Sequence, residues 1–138
     1  MNSFDTKRKI GNLACNILSD SEDLITQNIS PISIVVCNLY PFTETIAKPN
    51  CALADAVEEV DIGGVTLLRA AAKNWQERVS VLSDLGYKTF LGAWEDGKGN
   101  VGQGLRVLLA LKAFAMTARQ DEGISGNNTL APSCQLRS

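Results

Sequence analysis

The sequence predicts an α/β domain with a parallel sheet, and three observations carry that prediction. Ile32 to Leu39 (ISIVVCNL) is a short, apolar, β-branched run of the kind that forms a strand buried on both faces. Arg78 to Leu82 (RVSVL) is a second such run. Segments with helical apolar spacing stand between and after them, and buried strands alternating with helices are the pattern of parallel α/β folds.

Taken in order, Asn2 to Asn16 is polar and weakly patterned, with a basic cluster at Lys7, Arg8 and Lys9. Ser19 to Asn28 reads as a short helix: Ser19 caps it, Glu22 stands three residues on, and Leu24 and Ile25 supply its apolar side. Pro31 ends that segment, and the first strand follows. Tyr40, Pro41 and Phe42 then leave the strand in a loop, because Pro41 has no N–H and disfavours a helical Tyr40. Ala52 to Val60 has helical spacing, Asp61-Ile62-Gly63-Gly64 interrupts it, and Val65 to Asn74 resumes as a helix with Leu67, Leu68 and Ala71 packing. After the second strand, Tyr87 to Trp94 forms a further helix. A loop from Glu95 to Gly104 carries Gly97, Gly99, Gly102 and Gly104. Leu105 to Arg119 (LRVLLALKAFAMTAR) is the strongest helical segment in the chain. The tail from Gly123 to Ser138 is rich in Gly, Asn and Ser and is expected to be disordered. No internal repeat is visible.

With 138 residues the chain can build one domain with a single core. The net charge of -2 argues against a duplex nucleic-acid binder, which carries a basic patch. No apolar run reaches the roughly 18 residues of a membrane span, and Met1 to Lys9 has no apolar core of a signal peptide. A soluble, intracellular protein is the expectation. Cys15, Cys37, Cys51 and Cys134 are scattered, without metal-site or disulfide-scaffold spacing, so free thiols in a reducing compartment are expected. Histidine is absent, which removes the usual general base near neutral pH. Acid–base chemistry must then run on Lys, Asp, Glu, Tyr or Cys.

Three segments carry chemical groups. Cys37-Asn38-Leu39-Tyr40-Pro41-Phe42 falls where a strand ends, and open α/β sheets bind ligands outside the carboxyl ends of their strands. Asn38 and Tyr40 would offer an amide and a phenol there; equally, Tyr40 and Phe42 could simply close the core. Asp61-Ile62-Gly63-Gly64 opens a helix, where unsatisfied N–H groups and small residues let a ligand approach. Asp61 has an N-cap role open to it as well as a catalytic one. In Ala70-Ala71-Ala72-Lys73-Asn74, Lys73 is either a solvated charge answering the helix dipole or, half-buried, a proton-transfer group. Asp61 and Lys73 would stand about 18 Å apart on one continuous helix, so sharing a site needs a break, and the glycine pair offers one.

The stretch VVCNLYPF, then AKP, then AVEEVDIGGVTLLRAAAKN, closely resembles the IMP cyclohydrolase domain of the bifunctional enzyme that also carries AICAR formyltransferase. The resemblance continues through RVSVLSD and returns in LALKAF and DEGIS, covering roughly Leu13 to Ser125. It implies a methylglyoxal-synthase-like, three-layer α/β/α fold with a mostly parallel sheet. The implied reaction closes the ring of formyl-AICAR (FAICAR) to IMP with loss of water. The implied catalytic residues are Lys73, Asp61 and Tyr40: Lys73 matches the family's proton-transfer lysine, and Tyr40 the tyrosine beside the reacting carboxamide. Cys37, Asn38, Asp61 and Ile62 match substrate-contacting positions, and Gly63 and Gly64 the adjoining turn. No cofactor or metal is implied for this step; 10-formyltetrahydrofolate would serve only the formyltransferase domain, which is absent here. The implied partners are the nucleotide and a homodimer mate or a full-length family enzyme, with no nucleic acid and no membrane, in the cytosol.

The sequence also departs from the family pattern. The family's leading strand, its S-G-G-T phosphate loop and a second catalytic lysine have no counterpart; Asn2-Ser3-Phe4-Asp5 falls where that lysine segment would lie. Trp75, Met116 and Gln120 replace family histidines or tyrosine, and the resemblance stops after Ser125. The expectation is a partial domain over residues 1–125 with a divergent tail over 126–138, and impaired ring closure. A non-catalytic module that pairs with a full-length enzyme, and a degenerate fragment without function, are the alternatives.

Overall fold

The computed structural model describes residues 25–28, 30, 32–76, 79–82 and 86–126. Of the helix expected over Ser19 to Asn28, only Ile25–Asn28 lies among them, as an exposed turn; Lys7–Lys9, Cys15 and Cys134 also fall outside. The elements run β1 (Ile34–Cys37), α1 (Phe42–Ile46), α2 (Leu53–Glu58), α3 (Ile62–Lys73), β2 (Val79–Leu82), α4 (Gly86–Asp96) and α5 (Gln103–Gly126). The two strands are parallel, with Ile34 opposite Val79 and Cys37 opposite Leu82. A parallel pair requires a long crossover, and here α1, α2 and α3 supply it.

Both expected strands therefore exist and pair in parallel, as an α/β domain requires. The full three-layer sheet does not extend over the described residues: they hold two four-residue strands and are mostly helical. Nor is β1 buried on both faces. Val35 faces Ala70 and Ala71 of α3, and Ile34 packs on the opposite side toward Phe90, Val101 and Leu109, but Val36 remains 59% exposed.

Among the described residues, the most extensive packing between two elements is that of α3 on α5. Leu68 and Ala72 of α3 meet Ala110 and Ala113 of α5, all nearly or fully buried, with Cys37, Leu39, Trp75 and Met116 around them. Alanines at the crossing bring the two axes close, which sets α3 against the end of β1. Arg106 of α5 donates to the Gln76 carbonyl and ties α5 to the chain leaving α3. A separate cluster of Phe42 and Ala56, with Ile46, Val60 and Ile124 around it, holds α1 and α2 against the end of α5.

Three local expectations change. Phe42 does not stay in the loop but opens α1, since its buried ring anchors the segment and Pro41 is compatible with the position before a helix. The expected interruption exists but falls at residues 59–61, between α2 and α3, and not at the glycine pair: Gly63 and Gly64 lie inside the first turn of α3, which runs unbroken to Lys73. The tail expected from Gly123 is helical as far as Gly126, held by Ile124 in the Phe42 cluster and by Ser125 Oγ donating to the Asp121 carbonyl. Between α4 and α5, the glycine-rich loop turns through Gly99 at a φ of 87°, a conformation suited to glycine. Among the described residues, no helix is long and apolar enough to cross a membrane.

Candidate functional site

At the carboxyl end of β1 the chain passes through Asn38, Leu39 and Tyr40, directly beside the N-terminus of α3. Asp61 joins the two. It sits at the N-cap of α3 with an extended backbone, and its Oδ1 accepts the Gly64 N–H at 2.6 Å. Its other oxygen, Oδ2, accepts the Tyr40 backbone N–H at 3.3 Å. A short polar side chain with a glycine three residues on, at Gly64, is what this geometry needs: the cap satisfies one of the helix's unpaired donors. The carboxylate also meets the positive end of the helix dipole. Asp61 is buried, 9% exposed, so its two hydrogen bonds offset the cost of taking a charge from water.

The remaining predicted residues divide by position. Cys37 ends β1, half-buried, with its thiol directed to the Asn38 carbonyl at 3.8 Å. Burial, and secondarily the Asp61 carboxylate, push its thiol pKa up. Both causes disfavour the thiolate, the form in which a cysteine acts as a nucleophile. Asn38 is exposed, and its Oδ1 accepts the Tyr87 hydroxyl at 3.2 Å. Tyr40 is 58% exposed, Ile62 is 73% exposed and Gly63 is open to solvent, so the loop and the first turn of α3 present an accessible surface. Thus Cys37, Asn38, Tyr40, Asp61, Ile62, Gly63 and Gly64 come together at one end of β1.

Lys73 does not join them. It lies in the last turn of the same unbroken helix, about 18 Å along its axis from Asp61. There it lines a separate groove of about 450 Å³ with Thr66, Arg69, Ala70 and Phe114. Tyr87 was not visible as a site residue in the sequence, because its link to Asn38 spans 49 positions and depends on where α4 packs. Among the described residues, no group of three or more His, Cys, Asp or Glu side chains is arranged to hold a metal ion.

Parallel strands with a polar cluster at their carboxyl end, facing a capped helix N-terminus, define an α/β domain with a candidate ligand site at that end. No family profile matches the chain. It is, however, 43% identical over 106 residues to the bifunctional purine biosynthesis protein PurH of Synechococcus elongatus. It is 50% identical over 107 residues to PurH of Thermosynechococcus vestitus, and 47% over 107 residues to PurH of Rippkaea orientalis. Each match takes in 77% of this chain but only 20–21% of the relative, so the chain spans about one fifth of the curated proteins it matches. A crystal structure of ForH superposes with a TM-score of 0.74 at 29% identity, covering 94% of this chain and 65% of that one. The chain is thus similar to one part of PurH, consistent with a partial PurH-like domain.

Proposed function

We propose that this chain serves purine biosynthesis by holding FAICAR or IMP at the carboxyl end of β1, as a partial IMP cyclohydrolase site with impaired turnover. The single observation that carries the proposal is the Asp61 carboxylate, which binds the Tyr40 and Gly64 N–H groups at once and so fixes loop and helix in one register.

The ring closure is an attack by the carboxamide nitrogen on the formyl carbon carried by the neighbouring amine of the same molecule. The new C–N bond forms, charge develops on the formyl oxygen, and water departs. Such a reaction needs the two groups held in contact and the oxygen stabilised, more than it needs a strong nucleophile. The exposed backbone N–H groups of Ile62 and Gly63, at the positive end of α3, supply donors for that oxygen. The Tyr40 phenol, the Asn38 amide and the Cys37 thiol, on the segment that Asp61 ties to this helix start, offer further contacts to the substrate. Lys73 takes no direct part at a nucleotide held here by the same chain. That leaves proton transfer to Asp61 and Tyr40, and turnover slow.

Isothermal titration of IMP into the chain tests the binding step, and FAICAR conversion followed by ultraviolet absorbance tests turnover. Asn caps a helix about as well as Asp, so Asp61→Asn keeps the fold while removing the charge. Binding should weaken by about tenfold or more, the scale of a charge-assisted hydrogen bond, whereas Lys73→Ala should leave IMP affinity unchanged. A folded chain without IMP affinity overturns the reading. FAICAR turnover abolished by Lys73→Ala would give that residue the direct role denied it here.

A second reading, a module that associates with a full-length PurH, draws on the exposed Leu108 and Leu111 of α5, 61% and 60% accessible. Size-exclusion chromatography with and without that enzyme distinguishes it.

A further inference from the structure

Tyr87 takes no part in the ring closure as described, yet it reaches the candidate site. It stands in the first turn of α4, and its hydroxyl donates to Asn38 Oδ1 at 3.2 Å. The ring itself is held in the core. Tyr87 and Phe90, three residues apart, share one face of α4. That face packs Tyr87 on the buried cluster of Phe90, Val101 and Leu109, which also takes in Ile34 of β1. α4 is thus tied to β1 twice, by Ile34 at the start of the strand and by Asn38 just past its end. A tyrosine has only two side-chain torsions, so packing its ring fixes where its hydroxyl stands.

Asn38 is exposed, and its amide has two unlike edges to turn outward: an oxygen that accepts, or a nitrogen that donates two hydrogen bonds. With the Tyr87 hydroxyl donating to Oδ1, the oxygen edge faces Tyr87 and the Nδ2 edge faces away from it. Water competes for such a bond at the surface, so it contributes little to stability. Its consequence is orientation, and an amide already held loses less freedom when a ligand arrives. We propose that Tyr87 is a positioning residue, which holds the Asn38 amide so that it donates to the bound nucleotide. The proposal rests on nucleotide binding at the Asp61 cluster. It narrows what Asn38 recognises to a hydrogen-bond acceptor, a carbonyl, hydroxyl or ether oxygen or a ring nitrogen, and excludes an amino group.

Tyr87→Phe removes the hydroxyl and leaves the ring in its cluster, so the fold should stand. The first measurement needs no ligand. In the ¹⁵N-labelled chain the Asn38 side-chain NH2 group should give a heteronuclear NOE of restricted motion, and Tyr87→Phe should lower it to that of a free surface asparagine. The second is a titration with IMP. Tyr87→Phe should bind about fivefold more weakly, the scale of one neutral hydrogen bond, and Asn38→Ala at least as weakly. The double variant should bind like Asn38→Ala alone, because a residue that acts through Asn38 then has nothing left to act on. Losses that add would mean that Tyr87 touches the nucleotide itself or merely supports the fold, and would overturn the proposal. An Asn38 amide equally mobile with and without the hydroxyl overturns it as well, and does so while leaving IMP binding intact. A wild-type chain that holds the amide but binds no IMP would instead sink the nucleotide reading, and the donor role with it.

Discussion

Two adjacent glycines in α3 have opposite constraints. A Cβ added to Gly64 would stand 2.5 Å from Asp61 Oδ2 and 2.9 Å from its Cγ, so the capping carboxylate would have to leave. An alanine at Gly63 would meet nothing within 4 Å. Gly64→Ala should therefore lose the cap and the Tyr40 tether, destabilising by about 1–3 kcal/mol, the combined scale of an N-cap and a strained side chain. Gly63→Ala, at ordinary helical φ, should stabilise by about 0.5 kcal/mol through a less mobile unfolded chain. Urea denaturation of the two variants measures both, and the same sign for both would contradict this account of the turn. Gly63→Ala also tests function: where a nucleotide approaches that backbone, the variant should melt higher yet bind IMP less tightly.

At the scale of elements, the α3–α5 crossing decides where everything else stands. Leu68 and Ala72 on one side and Ala110 and Ala113 on the other are buried at 0–3% exposure, so little space remains for a larger side chain. Ala113→Leu should cost about 1–3 kcal/mol by overpacking, while Leu111→Ala on the exposed side of α5 should stay within about 0.5 kcal/mol. Thermal melting of the pair distinguishes them; equal losses would mean α5 packs by another face. The existence of α3 and α5 was legible because their apolar residues recur at helical spacing. Their ends were not: the first turn of α3 contains two glycines, normally a mark of interruption, and only the Asp61 cap makes that turn helical. The short α1 was hidden by Pro41, whose breaking effect is outweighed by the buried Phe42.

For the whole molecule, sequence spacing put Asn38 and Tyr40 at a strand end and Asp61 at a helix start, and tertiary packing brings the two together. The same spacing put Lys73 about 18 Å away on a continuous helix, and α3 has no break to bring it back. Distance along a helix is fixed by its rise, so one unbroken α3 was enough to separate Lys73 from Asp61. The Tyr87–Asn38 link was out of reach, because it depends on tertiary packing alone. That same packing places Cys37 between the two alanine-lined clusters of the core, next to Asp61. Both neighbours disfavour the thiolate, so the folded chain holds this proton more tightly than the unfolded chain does. Below the ordinary thiol pKa, about 8.5, both states are protonated and the contribution to stability is complete. As pH rises past that value the unfolded chain ionises first, and stability falls until the folded thiol also titrates. Denaturation across this alkaline range should show a downward slope that Cys37→Ala lacks, with the other three cysteines titrating alike in both proteins. Asp61→Asn should shallow the slope without abolishing it, because burial is the larger cause and charge the smaller. A slope identical in wild type and Cys37→Ala would mean that the thiol is as well hydrated in the fold as in the unfolded chain, and that the end of β1 is open to water from beneath.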